Sequence, residues 1–333
     1  MGELAKRRSQ TAARLDRLRG KLKTAQRLAS GVACVYATGS FGRGEAGRHS
    51  DLDLFILGMR DGKPDQDGKE GSLLSHLDEI CIVADLIAAT RRLGIPDFSD
   101  DGRYVAHFSV HDLTKTLGMP EDDATNTLTA RLLLLLESCP VLGSAVYRRA
   151  VREVLDAYWR DFSDHRANFI PAFLANDILR LWRTFCVNYE ARSARVPKVQ
   201  KAKGKLKNYK LKHSRLLTCF SALLYLLAVY RRRGTVTPDD ALLMIKLTPT
   251  ERLEWLWKQP YLEDARPAIT ALLEQYERFL ETTRVDSNAL VRRFTNRKTG
   301  SQYLEAANTF GDAMFEALHI IGGGSRFHRL LVV

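Results

Sequence analysis

At 333 residues and 45% hydrophobic content, the chain is long and apolar enough for two domains, each with a buried core. Its five cysteines (Cys34, Cys81, Cys139, Cys186 and Cys219) are scattered with no C-x-x-C pair, and MGELAKRRSQ at the N-terminus lacks the apolar core of a signal peptide. A disulfide or zinc framework is therefore excluded, and reduced thiols in a cytoplasmic protein are expected. The net charge of +12 is concentrated: residues 191–238 hold thirteen Lys or Arg and no Asp or Glu, which points to a phosphate-rich partner, a nucleoside triphosphate or a nucleic-acid backbone.

In chain order, apolar residues at 4, 15, 18, 22, 25 and 28 predict an amphipathic helix over residues 1–30. Its Arg and Lys residues are assigned to a solvated face. The stretch 32–57, VACVYATGSFGRGEAGRHSDLDLFIL, then divides into an apolar strand, a glycine-rich turn opening with Gly39 and Ser40, and a second strand led by Asp51 and Asp53. Residues two apart on a strand share a face, so the two aspartates project together while Leu52, Leu54 and Ile56 pack behind them. Adjacent carboxylates repel unless a cation sits between them, and hard oxygen donors suit Mg²⁺ or Mn²⁺. Gly39 permits close backbone approach, and Ser40 with the following amides can cradle a phosphate at a short helix start. That combination is a layout for phosphoryl or nucleotidyl transfer from a nucleoside triphosphate. Residues 42–47 also satisfy G-x-G-x-x-G, but only Arg48, His49 and Ser50 precede the next strand, leaving no room for the helix of a dinucleotide fold.

At these residues the chain resembles the nucleotidyltransferases of the DNA polymerase β superfamily, whose signature is Gly-Ser followed by Asp-x-Asp in an apolar strand. GSFGRGEAGRHSDLDLFIL looks most like the catalytic part of protein-PII uridylyltransferases and their short relatives, and YVAHFSVHDL (104–113) and DDATNTLTARLLL (122–134) continue the likeness. The resemblance implies an α+β fold: a small mixed-sheet nucleotidyltransferase domain over 31–118, then an all-helical domain over 119–333. Many relatives place a third carboxylate in the strand at 104–110. Here Ala106, His107, Phe108 and Ser109 stand instead, so a two-aspartate site is expected, with His107 as a possible wall of the substrate cleft and Asp97, Asp100 and Asp101 as distant alternatives.

Between these motifs, 58–71 reads as a polar connector and 72–93 as a helix through Leu73, Leu77 and Ile80, stopped at Gly94. Further helices are predicted after Glu121, after Ser144 and over 168–190. On the last, Asn176, Arg180 and Arg183 share one face as a candidate cleft wall, while Leu179, Trp182 and Phe185 are expected inside. The basic segment 192–215 leads to the apolar stretch 216–230, which at fifteen residues, interrupted by Thr218 and Ser221, is short for a membrane span and reads as a buried helix. The resemblance implies that the helical domain lends cations to the triphosphate, for which Lys207, Lys210, Lys212 and Arg215 are the candidates. Alternatively they form an RNA strip with Tyr209 free to stack on a base. Trp255, Trp257, Tyr276, Phe279, Phe294, Phe310 and Phe315 are expected in the core, and 322–333 as a flexible end.

The expected activity is transfer of a nucleoside monophosphate to a macromolecular hydroxyl with release of pyrophosphate, through two cations ~3.5–4 Å apart on Asp51 and Asp53, with Arg43 or the lysines balancing charge on the leaving group. The resemblance suggests a protein acceptor, but the chain has no room for the HD and ligand-sensing domains of the uridylyltransferases. The basic segment argues for RNA, such as a tRNA end. A catalytically silent nucleotide- or RNA-binding protein is the alternative. Sequence leaves the oligomeric state open.

Overall fold

The computed structural model describes residues 2–64, 70–98, 105–193 and 198–333, and the chain divides into two units, 3–158 and 159–333. Asp100, Asp101 and Tyr104, and parts of the 58–71 connector and the basic segment, lie outside the described residues.

The first unit is built on β1 (Ala33–Thr38), a run of six buried residues that only a central strand can use. It pairs antiparallel with β2 (Asp53–Gly58) on one side and with β6 (Cys139–Leu142) on the other. β5 (Ala106–Ser109) adds to β2 in parallel, giving the mixed order β5-β2-β1-β6. On one face Val35, Ala37, Leu54 and Ile56 pack with α1 (Glu3–Arg19), α2 (Lys23–Ala29) and α4 (His76–Arg92) through Leu18, Leu22, Ile82 and Leu86. On the other face Tyr36 stacks on Phe55 at 5.5 Å, and Phe55 meets Phe108. α8 (Ser144–Tyr158) closes that side through Tyr147.

The expected α+β class is observed, and the units divide beyond residue 118. β6 explains the difference: Pro140 reads as a helix breaker, yet an edge strand tolerates proline, and the strand ties everything up to α8 into the first unit. The N-terminal helix is two helices rather than one, because the chain turns at Gly20 and Lys21, and the α2 amide of Ala25 is held by Asp85 of α4 at 2.9 Å. The connector contains a hairpin, β3 (Arg60–Pro64) with β4 (Glu70–Ser72). α4 starts at Ser75, its cap, and buries Ile82, Leu86 and Ala89, leaving Leu77 and Ile80 exposed. Their helical spacing marked a stripe next to the one that packs.

After α5 (Val110–Lys115) and α6 (Glu121–Ala124), α7 (Thr127–Leu136) is buried along its length. Asp122 does not serve the start of a long helix as expected. The chain breaks at Asn126 (φ 61°), and Asp122 folds inward against Arg131 of α7. Both side chains are buried, and the carboxylate also accepts from Thr127 at 2.7 Å and Thr116 at 3.2 Å, while Arg131 donates to Tyr158 and to the Leu113 carbonyl. Burial alone would raise the Asp122 pKa, but the bonds from Arg131 and Thr127 outweigh it and hold the carboxyl below its usual range.

The second unit is all helix among the described residues: α9 (Ala172–Ser193), α10 (Lys198–Lys210), α11 (Leu216–Arg233), α12 (Pro238–Lys246), α13 (Pro249–Trp257), α14 (Arg266–Thr282), α15 (Ser287–Thr295), α16 (Arg297–Gly322) and α17 (Arg326–Leu330). α11 is the buried helix expected from 216–230. Joined through the π-turn Leu211–Arg215 to α10, it forms the one helix among the described residues long and apolar enough to cross a membrane, and that apolar window is 78% buried in protein. Tyr209 is not free to stack on a base. It is buried with His213, Phe279, Phe294 and Tyr303 around it. Phe315 and Trp257 are exposed, not core, and the chain end is not loose: Ser325 caps α17 and Phe327 is fully buried.

Two stability predictions follow from buried groups. Because the folded pKa of Asp122 lies below its unfolded value, its stabilisation is full above the unfolded value and disappears as pH falls through the folded one. Urea unfolding of Asp122→Ala at pH 7 is expected to show a loss of about 3–5 kcal/mol in the first unit, and the gap to the unsubstituted protein should narrow once pH drops below about 4. His213 stacks between Phe279 and Phe310, and burial pushes its pKa down to about 4. The core holds the neutral ring, so that stability is complete above the unfolded pKa and drains as pH falls towards the folded one. The second unit should lose on the order of 3 kcal/mol between about pH 6.5 and about pH 4. His213→Phe should flatten that part of the curve.

Candidate active site

The site grows from the end of β1. Thr38 pairs with Asp53 across the strands, and the chain then turns at Gly39 (φ 62°) into the four-residue helix α3 (Gly39–Gly42). The left-handed φ favours glycine, and a Cβ at residue 39 would lie against Asp53 Oδ2, so that side chain would have to turn aside. At residue 42 space itself requires glycine, since a Cβ there would collide with the Glu137 backbone carbonyl. Asp51 and Asp53 are half-exposed and Leu52 between them is buried, the alternation of an extended segment with both carboxylates on the outer side.

The turn is locked by a carboxylate that the sequence did not disclose. Glu137, just past the C-terminus of α7, has a fully buried side chain; one oxygen accepts from the Gly39 amide at 3.1 Å and the other from Arg43 Nη1 at 2.8 Å. Arg43 also donates from Nε to Glu45 at 2.5 Å. Arg43 is buried with its charge compensated by two carboxylates, which makes it an internal tie of the turn. The Gly39 amide is spent on Glu137, so of the expected phosphate cradle the half-buried Ser40 remains the exposed element, its carbonyl taken by the Glu45 amide. The signal for Glu137 was present: a lone acid directly after five leucines must find a buried cation or amide.

His107 takes the other face of the sheet from Asp53. In the β5 register it lies beside Ile56, on the face that packs on α4, whereas Asp53 shares the opposite face with Phe55. Its Nδ1 meets Glu79 at 3.0 Å and its Nε2 meets Ser72 at 3.0 Å, and a Cβ at Gly58 would crowd both Ser72 and His107. Asp97 pairs with Arg91 at 3.1 Å.

The remaining predicted residues belong to the second unit. On α10, Lys207 and Lys210 are exposed, and with Lys203 they form an outward stripe over buried Ala202, Leu206 and Tyr209. Lys212 donates to Asn308 at 2.8 Å and Arg215 lies over the Phe185 ring at 5.1 Å. On α9, Arg180 approaches Asp177 at 3.6 Å and Arg183 is exposed, while the buried residues are Leu174, Ala175, Ile178 and Leu181 instead of Leu179, Trp182 and Phe185. Trp182 is half-buried edge-on against Phe220.

Asp51 and Asp53, both half-exposed, carry hard oxygen donors of the kind that would suit a divalent cation. Among the described residues no group of three or more His, Cys, Asp or Glu could hold a metal ion. No curated protein matches the chain. Residues 15–89, which contain the Gly39-Ser40 turn and both aspartates, match the family model described as a nucleotidyltransferase domain, and the likeness read from the sequence holds at that level.

Proposed function

We propose that this protein transfers a nucleoside monophosphate from a nucleoside triphosphate to a hydroxyl of an RNA, releasing pyrophosphate. The observation that carries the reading is the contact geometry of Gly39 with Asp53 inside the matched domain: a bare backbone turn against the carboxylate that opens β2. Asp51 and Asp53 hold Mg²⁺ or Mn²⁺, which when bound offsets phosphate charge and lowers the pKa of the attacking hydroxyl. The chain's own residues supply the rest. Ser40 meets the phosphates beyond the reacting one. Glu137 and Arg43 keep the turn rigid so that the carboxylates need no reorganisation during reaction. The uridylyltransferase-like character of the GRGE turn remains part of this proposal, as does a reducing, cytoplasmic setting for the free cysteines. RNA is preferred over protein as acceptor because α10 presents Lys203, Lys207 and Lys210 on one exposed face, a spacing suited to successive phosphates.

The test is incubation of purified protein with each α-phosphate-labelled nucleoside triphosphate, Mg²⁺ or Mn²⁺, and total cellular RNA or protein. Label on RNA is the expected result; label on protein would move the acceptor, and no label with any combination would overturn the transferase reading. Asp51→Asn and Asp53→Asn should each lower labelling by at least about 100-fold while their thermal midpoints stay near that of the unsubstituted protein. Labelling of RNA should also fall steeply between low and physiological salt, with Lys207→Glu/Lys210→Glu shallower in its salt dependence.

A further inference from the structure

The segment between the turn and the aspartates, residues 43–50, has no regular structure of its own, and one face of α1 supplies it. Arg7, Thr11 and Arg14 recur at i, i+4 and i+7. Arg7, buried and paired with Glu3 at 3.0 Å, donates to the Glu45 carbonyl at 3.2 Å. Thr11, also buried, accepts from the Ala46 amide at 2.9 Å. Arg14 donates to the Gly47 carbonyl at 2.6 Å and to the Ser50 carbonyl at 3.4 Å, and its guanidinium lies over the Phe41 ring at 4.6 Å. Arg14 therefore touches both sides of the site: Phe41 follows the Gly39-Ser40 turn, and the Ser50 carbonyl belongs to the peptide bond that carries the Asp51 amide.

We propose that Arg14 is a positioning residue for the cation site, holding the backbone from which Asp51 projects against the helix that carries Ser40. This rests on the assignment of Asp51 and Asp53 as cation ligands. The planar fork of arginine is what the geometry uses, with nitrogens on two carbonyls and a flat face on an aromatic ring. Lysine, with a single nitrogen and no flat face, would lose the stacking on the ring and the fork across the two carbonyls. Outer residues that orient ligands typically change metal affinity by 10- to 100-fold when removed, without touching the metal.

The test uses the full chain and Mn²⁺ alone, titrated while the free ion is followed by electron spin resonance, with hydrogen–deuterium exchange over residues 44–53 as a second readout. Arg14→Ala should weaken Mn²⁺ binding by about 10- to 100-fold and speed exchange in that segment while exchange in β1 and α8 stays unchanged. Arg14→Lys should recover part of both. Unchanged Mn²⁺ affinity together with unchanged exchange in Arg14→Ala would overturn the proposal. If Arg14→Ala unfolds, Arg14→Lys decides, and Mn²⁺ affinity in it equal to that of the unsubstituted protein would likewise overturn the assignment. Asp53→Asn separates the two levels: intact Mn²⁺ binding in that variant removes the cation site itself, whereas its loss there with none in Arg14→Ala removes only the role of Arg14.

Discussion

The first unit is arranged around a turn that needs a left-handed backbone at residue 39 and a residue without a side chain at 42. The positive φ of Gly39 turns β1 sharply into α3, and the space its Cβ would fill is occupied by Asp53 Oδ2. A turn this bare exposes backbone amides that must be satisfied or left for a ligand. Glu137 satisfies one of them from α7, while the Cβ position of Gly42 is filled by the backbone at Glu137 itself. The position of α7 is fixed in turn by the buried pair of Asp122 with Arg131 and by β6, which directly follows it and lies beside β1. The site thus depends on chain far beyond its own motif.

Burying charge is costly, and this unit does it in several places, of which two show the pattern most fully. In each place every buried charge meets a partner at hydrogen-bonding distance: Arg43 between Glu45 and Glu137, and Arg131 between Asp122 and Tyr158. A hydrophobic filling of the same volume would give comparable stability with less directional constraint. What the ionic version adds is orientation, because a fork and a carboxylate have few ways to meet.

The local parts of this arrangement were legible in sequence. Gly39 and Ser40, the Asp51/Asp53 pair, the flanking strands and the buried helix at 216–230 all declare themselves within a few residues, through periodicity or turn chemistry. What failed to show were relations across long separations. Arg43 reads as an available cation until Glu137, ninety-four residues away, is placed against it. Arg7 and Arg14 read as a solvated face, because nothing in an amphipathic pattern says that a polar face will meet a neighbouring loop's carbonyls. Tyr209 in a lysine-rich run reads as exposed, yet α10 is amphipathic with Ala202, Leu206 and Tyr209 inward. The face that His107 takes was hidden too: the strand was foreseen, but the side of the sheet each residue takes is set by register with β2, which sequence does not reveal.

The basic segment shows how a charge count overstates a surface. Thirteen cations between 191 and 238 suggest one continuous polyanion track. In the folded unit they part company. Lys212 is engaged with Asn308, Arg215 lies on Phe185, Arg231 reaches Asp264 and Arg233 pairs with Asp240. The outward remainder on α10 is a short stripe, and one helical face offers few simultaneous phosphate contacts. Since the sequence-independent part of nucleic-acid affinity scales with the number of phosphates neutralised, a charge count alone overstates what the described residues of this segment could contribute to such binding.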